Sequence, residues 1–114
     1  MNFVWNDYSS EYVKKIEAFL DEEAIKYTSC DDGFDNFYTY WYNELGESNF
    51  WCKVILIENE PIAVISLAKA PDNVFTIQEF IVSPNHRGKG FLACYIIRIY
   101  YRFCNRNILS YYIV

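Results

Sequence analysis

Apolar positions near the start of the chain change from a short continuous run to a helical period. The stretch NFVW at residues 2–5 is apolar enough to predict a first strand. Beyond it, Ser9 or Ser10 can act as a helix N-cap, and apolar residues then recur every three or four positions through about residue 26. This spacing predicts an amphipathic helix after the first strand.

The aromatic segment 36–45, NFYTYWYNEL, predicts a second helix that ends at Gly46. Asp32 or Asp35 is expected to cap its N-terminus. Aromatic rings occur at almost every angle around this helix, so they cannot all face a core. We expect some of them to line a groove or an interface, with plain packing as the alternative.

The second half of the chain is dominated by strand patterns. Two apolar runs separated by ENE predict a hairpin, and PDN then leads into a third long strand. After the loop SPNHRGKG, the pattern predicts an amphipathic helix and then a final strand. The predicted strands cover 50–57, 61–70, 74–82 and 108–114, and the helix covers 91–106. The complete order is β-α-α-β-β-β-α-β, which indicates one α+β domain over residues 1–114.

Composition excludes several classes of protein. Hydrophobic residues make up 53% of the chain, which fits a globular domain, and no apolar run approaches the roughly 20 residues of a membrane span. The N-terminus lacks the basic and apolar regions of a signal peptide. Four irregularly spaced cysteines and a single histidine favour reduced thiols in the cytoplasm and no metal site. Residues 1–60 carry 13 acids and 4 bases, so we expect neither nucleic acid nor a membrane as partner.

The loop RGKG at residues 87–90 is the main candidate for binding chemistry. A loop that leads from a strand into a helix exposes the first N–H groups of the helix, which favour an anion. Gly88 and Gly90 allow the main chain to approach that anion closely, and Arg87 and Lys89 add positive charge. The physics predicts a phosphate or pyrophosphate site, with a flexible solvated loop as the alternative.

The segment IVSPNHRGKG resembles the acetyl-CoA site of the GNAT superfamily of N-acetyltransferases. That family has the pattern Gln/Arg-x-x-Gly-x-Gly/Ala, usually after Val-x-Pro. Here Val82 and Pro84 supply the prefix, Arg87 and Gly90 match the first two motif positions, and Leu92 departs from the third. The predicted element order also matches the first five strands and three helices of the family. The resemblance implies a GNAT-like fold with a central, mostly antiparallel sheet flanked by helices.

The resemblance also implies where acetyl-CoA, as acyl donor, would bind. Its pyrophosphate would lie against the main-chain N–H groups of five consecutive residues, Arg87, Gly88, Lys89, Gly90 and Phe91. Its pantetheine arm would pair with the main chain of Phe80, Ile81 and Val82, as an added strand does. Such pairing needs a gap at a sheet edge or between splayed strands.

Glu79 is the candidate general base. Members of the family often use a carboxylate on this strand, and Glu79 is the one acid between Asp72 and the C-terminus. Strand alternation predicts its side chain opposite Phe80 and on the apolar face of Ile77 and Ile81. We expect a half-buried carboxylate that takes a proton from an amine nucleophile. The alternative is an exposed glutamate on a solvent face.

The resemblance leaves two principal functions open. The first is an acetyltransferase that moves an acetyl group from acetyl-CoA to an amine of a small molecule or peptide. The second is a non-catalytic module that binds CoA or a partner protein, as Leu92 would suggest. The family usually continues with a helix and a β-hairpin, so this chain is expected to be C-terminally truncated. Neither Tyr111 nor Tyr112 is supported as a general acid, and an unrelated α+β domain is a third reading.

The last predicted strand, ILSYYIV, carries no charged side chain. An apolar strand at the edge of a sheet favours association with a second strand. We therefore expect a homodimer in which this region contacts its symmetry mate.

Overall fold

A five-stranded sheet organises the molecule. The computed structural model describes residues 4–21, 30, 32–71, 75–87 and 108–113. Its strands are β1 (Val4–Asp7), β2 (Phe50–Ile57), β3 (Glu60–Lys69), β4 (Phe75–Val82) and β5 (Ile108–Ile113). They lie in sequence order across the sheet, with the first four antiparallel and β5 parallel to β4. This arrangement confirms the predicted α+β class and its mostly antiparallel sheet.

The predicted hairpin between β2 and β3 is present, but its loop has two residues instead of the three of ENE, because Glu60 already belongs to β3. Glu58 and Asn59 have φ angles of 51° and 67°. Two consecutive positive φ values give the turn a twist that matches the flanking strands. The tight loop sets Ile57 opposite Glu60, and a register shift between Ile55 and Leu56 then places Val54 opposite Val64. Strand β3 is the central strand of the sheet, and β4 pairs with it on the side opposite β2.

The first helix is shorter than predicted. A single 3-10 turn at Ser10–Tyr12 leads into helix α1, Val13–Glu17, and residues 18–21 are not helical. The predicted continuation over residues 22–26 lies outside the described residues. Leu20 N–H bonds to the Glu17 carbonyl at 3.1 Å, which is the tighter spacing of a helix end. The buried ring of Phe19 packs into the core at the same place, so tertiary contacts override helix propensity.

Helix α2, Phe34–Leu45, ends at Gly46 as predicted, but the expected capping by Asp32 or Asp35 is wrong. Its N-cap is Gly33, with φ of 95°, and the side chain that accepts from Phe34 N–H is Glu17 of α1, at 2.8 Å. A Cβ at Gly33 would lie 3.0 Å from the Glu17 carboxylate. Glycine therefore allows a carboxylate from another helix to do what a local aspartate was predicted to do.

The described sheet carries two hydrophobic clusters. The helix-side cluster joins α1 and α2 to the sheet and includes Ile16, Phe34, Cys52, Val64 and Ile81. The opposite cluster includes Ile55, Ile65, Leu67, Ile77, Phe80 and Val82. Within α2, Phe34 and Phe37 are buried, whereas Tyr40 and Tyr42 are exposed. Not every ring of this helix packs in the core, and the role of the exposed rings in a groove or an interface stays a prediction.

The helix predicted over 91–106 lies outside the described residues. In the part of the chain that the structure covers, no helix has the length and apolar character that a membrane crossing needs.

Candidate functional site

Strand β4 contains a bulge immediately before Glu79. Glu79 lies opposite Ser66 of β3, but the next residue of β3, Leu67, lies opposite Ile77. Gln78 is therefore an additional residue, and it reverses the alternation of side chains on its N-terminal side. As a result Ile77 and Phe80 both belong to the opposite cluster, whereas Ile81 belongs to the helix-side cluster. The prediction that Glu79 shares a face with Ile77 is wrong for this reason.

Glu79 is buried more deeply than the sequence suggested. Alternation with Ile81 and pairing with Ser66 place it on the helix side of the sheet. Only 1% of its surface is exposed, where half-burial was expected. Its main-chain N–H donates to Ser66 Oγ at 3.1 Å, and Ser66 is itself fully buried. The serine hydroxyl therefore serves the main chain at the bulge and holds the backbone that carries Glu79.

Glu79 ends a row of three buried side chains that cross the sheet. Cys52 of β2 lies opposite Ser66, which lies opposite Glu79. Burial raises the pKa of the Cys52 thiol well above its ordinary value, so the thiol stays protonated at neutral pH. A serine hydroxyl is also neutral in this range. Within the row, the carboxyl is the group whose chemistry suits a general base.

Aromatic side chains pack over this row from the helix side. Tyr8 N–H donates to the Cys52 carbonyl at 2.9 Å, and the Tyr8 hydroxyl donates to Asp35 at 3.0 Å. The Tyr8 ring packs against Phe34 and Tyr38 with centroid separations of 5.1 and 4.7 Å. Burial raises the pKa of Tyr8 and of Tyr38, and the hydrogen bond to Asp35 raises that of Tyr8 further. Tyr8 is thus held as a hydrogen-bond donor, which fixes α2 over the row.

The end of β4 presents its main chain on the side away from β3. Ser83 N–H donates to the Ile62 carbonyl at 2.7 Å, so the neighbouring pair Ala63–Val82 is a non-hydrogen-bonded pair of the antiparallel ladder. The N–H and C=O of Val82 must then point away from β3, toward the side where β5 lies. Within the described residues, the pairing of β4 with β5 extends to Phe80, opposite Ile113.

Arg87 follows a 3-10 turn at Pro84–His86, and its side chain turns back against the protein. Nε donates to the Val82 carbonyl at 2.8 Å. Nη2 donates to the Phe19 carbonyl at 2.9 Å, and Nη1 pairs with Asp21 Oδ2 at 3.0 Å. The guanidinium is thus bound to β4 and to the segment after α1. The sequence predicted instead that its positive charge would attract an anion.

The remaining predicted cofactor residues, Gly88, Lys89, Gly90 and Phe91, lie outside the described residues, as does Leu92. The structure does describe the strand and the turn that lead into this loop. Among the residues it covers, no cluster of three or more His, Cys, Asp or Glu side chains forms a candidate metal site.

Sequence reasoning missed Ser66 and Asp21. The two consecutive polar residues Gln78 and Glu79, in a strand that is otherwise largely apolar, are a sign of a bulge and could have directed attention to the partner strand. Nothing in the sequence marks Asp21, because it lies 66 residues before Arg87.

Comparison with known proteins adds an independent observation. A sequence model of the acetyltransferase (GNAT) family matches residues 4–91. The match covers β1 to β4, the buried glutamate and the whole RGKG loop. A search of curated proteins found no match.

Several solved structures have a similar fold. A predicted acetyltransferase from Clostridium acetobutylicum, solved with acetyl-CoA, aligns with a TM-score of 0.61 and 16% identity over 99% of this chain and 80% of that chain. An acetyltransferase from Salmonella typhimurium that modifies the N-terminal serine of a ribosomal protein aligns with a TM-score of 0.64 and 14% identity over 93% of this chain and 66% of that chain. A spermidine N-acetyltransferase chimera from Vibrio cholerae and hSSAT aligns with a TM-score of 0.67 and 18% identity over 86% of this chain and 61% of that chain. At these identities the likeness concerns the fold, and the chain spans less than two thirds of the second and third proteins.

Proposed function

The chain belongs to the acetyltransferase (GNAT) family, and on this premise we propose that it transfers an acetyl group from acetyl-CoA to an amine. The observation that carries this proposal is the buried carboxylate of Glu79, on a bulge of β4 and near the end of that strand. Burial of a carboxylate costs free energy, and titratable groups in such surroundings are concentrated at functional sites. Proton transfer is the role that the chemistry of a carboxylate suits.

The end of β4 supports the proposal that acetyl-CoA is the acyl donor. The main-chain groups of Val82 point away from β3, and the described pairing with β5 reaches only Phe80. An extended molecule with amide groups, such as a pantetheine arm, can pair with a strand edge of this kind. In this proposal Phe80, Ile81 and Val82 flank the arm, and the main-chain N–H groups from Arg87 to Phe91 hold the pyrophosphate.

Glu79 supplies the proton transfer. Acetyl-CoA, when bound, supplies a thioester whose thiol leaves as the new amide bond forms. An amine attacks only after it has lost a proton, and a carboxylate within reach, directly or through one water, accepts that proton. Ser66 holds the main chain of Glu79 in place, and the neutral thiol of Cys52 adds no competing charge to the row.

The acceptor is proposed to be a cationic amine of a small molecule or a peptide. The similar proteins include one described as a spermidine N-acetyltransferase and one that modifies the N-terminal serine of a ribosomal protein. Residues 1–60 of this chain carry 13 acids and 4 bases, and this charge favours the approach of a cation.

A binding titration and an activity assay on the wild-type protein test the proposal together. Calorimetry with acetyl-CoA and CoA measures donor binding. Thiol release over a panel of polyamines and peptides with free N-termini measures turnover. We expect saturable CoA binding, and thiol release that depends on the amine. Binding of CoA without turnover on any amine would favour a non-catalytic CoA-binding module, and no binding at all would contradict both functions.

We further propose a cytoplasmic homodimer. Cys30 and Cys52 are buried thiols, which fits a reducing compartment. Strand β5 lies at one edge of the described sheet, and its sequence, ILSYYI, has no charge to oppose pairing with a second copy. Light scattering at micromolar concentration should give the mass of a dimer, and Tyr112→Lys should give monomers or insoluble protein. A wild-type monomer at high concentration would contradict the dimer.

A further inference from the structure

We propose that Arg87 is a positioning residue, whose side chain fixes the acetyl-CoA loop relative to α1 and does not itself bind the phosphates. This inference rests on the proposed function, since it concerns how the acetyl-CoA site is built. The observation behind it is the set of three hydrogen bonds that join Arg87 to Val82, Phe19 and Asp21. We call this set the Arg87 anchor.

The first contact of the anchor lies on the edge of β4 where the donor is proposed to pair. The Val82 carbonyl points away from β3, and Arg87 Nε donates to it at 2.8 Å. Because Val82 and Arg87 are five residues apart, this bond closes the turn Pro84–His86 into a ring. The ring fixes the path of the chain from the end of β4 to Arg87, the last described residue before the glycine loop.

The second and third contacts lie on the segment that follows α1. Nη2 donates to the Phe19 carbonyl at 2.9 Å, and Nη1 pairs with Asp21 at 3.0 Å. The ring of Phe19 is buried in the helix-side cluster, so the carbonyl is attached to a part of the chain that cannot move freely. The start of the loop is thereby tied across the molecule to the end of α1.

The chemistry of arginine suits this role better than that of lysine. A planar guanidinium offers five donors in fixed directions, so one side chain can reach two carbonyls and a carboxylate together. The paired carboxylate of Asp21 also offsets the positive charge. A phosphate that approached this guanidinium would have to compete with an anion already in contact with it.

The two possible roles of Arg87 predict opposite effects for Asp21→Asn. If Arg87 binds phosphate directly, removal of the competing carboxylate frees the guanidinium and strengthens CoA binding. If Arg87 positions the loop, Asp21→Asn loosens the anchor and weakens CoA binding. Asp21 is half exposed, with 44% of its side chain accessible, so this variant is expected to fold.

The experiment measures CoA affinity by calorimetry, together with kcat and KM, for Arg87→Ala, Arg87→Lys, Asp21→Asn and the double variant Arg87→Ala/Asp21→Asn. Hydrogen bonds to charged groups are strong enough that we expect Arg87→Ala to weaken CoA binding about tenfold or more. Asp21→Asn should weaken it by a smaller factor. The double variant should be no weaker than Arg87→Ala, since both changes break the same contact.

The CoA affinity of Arg87→Lys shows whether the site needs the three contacts of the arginine or only its positive charge. Arg87→Lys keeps the charge but cannot make the three contacts together, so we expect it to bind CoA nearly as weakly as Arg87→Ala. The matched control is Lys15→Gln, which removes a 3.0 Å ion pair between α1 and Glu60 on the exposed surface. Its CoA affinity, kcat and KM should equal those of the wild type.

Tighter CoA binding by Asp21→Asn, or full rescue by Arg87→Lys, would overturn the anchor and make Arg87 a phosphate ligand. Unchanged CoA affinity in Arg87→Ala would remove both roles. Failure of the wild type to bind CoA is a different result: it would contradict the proposed function. The anchor would then be tested by urea unfolding of the same four variants. A loss of unfolding free energy in the double variant that is smaller than the sum of the losses in Arg87→Ala and Asp21→Asn would support the anchor, and a loss equal to that sum would overturn it.

Discussion

The middle and the end of strand β4 are fixed in different ways. At the middle, Glu79 is fully buried, and its N–H is held by the hydroxyl of Ser66 from the adjacent strand. At the end, the carbonyl of Val82 is held by the partly exposed side chain of Arg87, which also reaches Phe19 and Asp21. One strand therefore contains a fully buried polar position and, only three residues further on, a position held by a partly exposed side chain.

The difference teaches how one strand can serve two chemical purposes. The middle is enclosed by the sheet and by the helix-side cluster, where few waters compete and a carboxylate can be given a fixed position. At the end, a main-chain carbonyl points away from β3, and a partly exposed arginine side chain supplies the partner that β3 does not. In the proposed function, the proton acceptor lies at the middle of β4 and the acyl donor pairs with its end, so the two tasks are divided between the two parts.

Removal of the carboxylate at the middle of β4 is expected to have the largest effect. Glu79→Gln keeps the shape of the side chain but removes the base, so turnover should fall by about 10² to 10⁴. CoA affinity should change little, because the donor is proposed to bind at the end of the strand. Thiol release with the best amine of the panel measures the first quantity, and calorimetry measures the second.

Glu60→Gln is the control for this experiment, since Glu60 lies on the exposed hairpin and pairs only with Lys15 among the contacts described. Equal turnover in wild type and Glu79→Gln would remove Glu79 from the mechanism. A loss of CoA affinity in Glu79→Gln would mean that the middle and the end of β4 do not act independently.

The second prediction concerns the serine that supports the bulge. Ser66→Ala removes the Oγ that accepts from Glu79 N–H, so a buried main-chain donor loses a partner. The free energy of unfolding should fall by about 1 to 3 kcal/mol. Turnover should fall as well, by roughly tenfold to a hundredfold, because small displacements of a catalytic group are costly. Urea unfolding and thiol release measure the two effects.

Cys52→Ala is the matched control, because Cys52 is the other neighbour of Ser66 in the same buried row. It should reduce stability through lost packing and leave turnover near that of the wild type. If both variants lower turnover equally, the role of Ser66 is packing of the sheet and not the support of Glu79.

The third prediction separates the Arg87 anchor from the general stability of α1. Glu17 lies on α1 and accepts from Phe34 N–H at 2.8 Å, which caps α2. Glu17→Ala should lower the free energy of unfolding by about 1 kcal/mol, as the loss of a helix cap does. CoA affinity should stay at the wild-type value, in contrast to Arg87→Ala. A fall in affinity would show that any loosening of α1 disturbs the site, which would weaken the case for a specific anchor.

Much of the fold followed from local patterns. The strands of the β2–β3 hairpin were predictable because two apolar runs flank a short polar loop, and β4 because its run is long and ends at a Ser-Pro turn. Helix α2 was predictable up to Gly46. The end of α1 was not predictable, because its apolar spacing continues past Glu17, and what stops the helix is the burial of Phe19 and the contacts made there.

The candidate site divides in the same way. Glu79 was found because it is an isolated acid in an apolar strand, and the resemblance to a family gave it a role. Its correct face was not predictable from strict alternation, because a single additional residue, Gln78, reverses the pattern. Two of the three partners of Arg87, Asp21 and Phe19, lie 66 and 68 residues earlier in the chain, and no local pattern predicts a contact of that kind.

The last prediction concerns the aromatic side chains that cover the buried row and affects stability alone. The Tyr8 hydroxyl donates to Asp35 at 3.0 Å and joins β1 to α2, so Tyr8→Phe should lower the free energy of unfolding by about 1 to 2 kcal/mol at neutral pH. Burial, together with Asp35, raises the pKa of Tyr8 in the folded protein above the value of about 10 that it has when unfolded.

This shift gives the prediction a pH dependence with a definite sign. Above pH 10 or so the unfolded chain loses the Tyr8 proton while the folded protein keeps it, so the stabilising contribution is complete below that pH and is lost as pH rises further. The stability difference between wild type and Tyr8→Phe should therefore be constant from about pH 7 to 9 and shrink above about pH 10. Tyr38, whose pKa is also raised by burial, is present in both proteins and so cancels in the difference. Urea unfolding across this range measures it, and a difference that grows with alkaline pH would contradict the hydrogen bond between Tyr8 and Asp35.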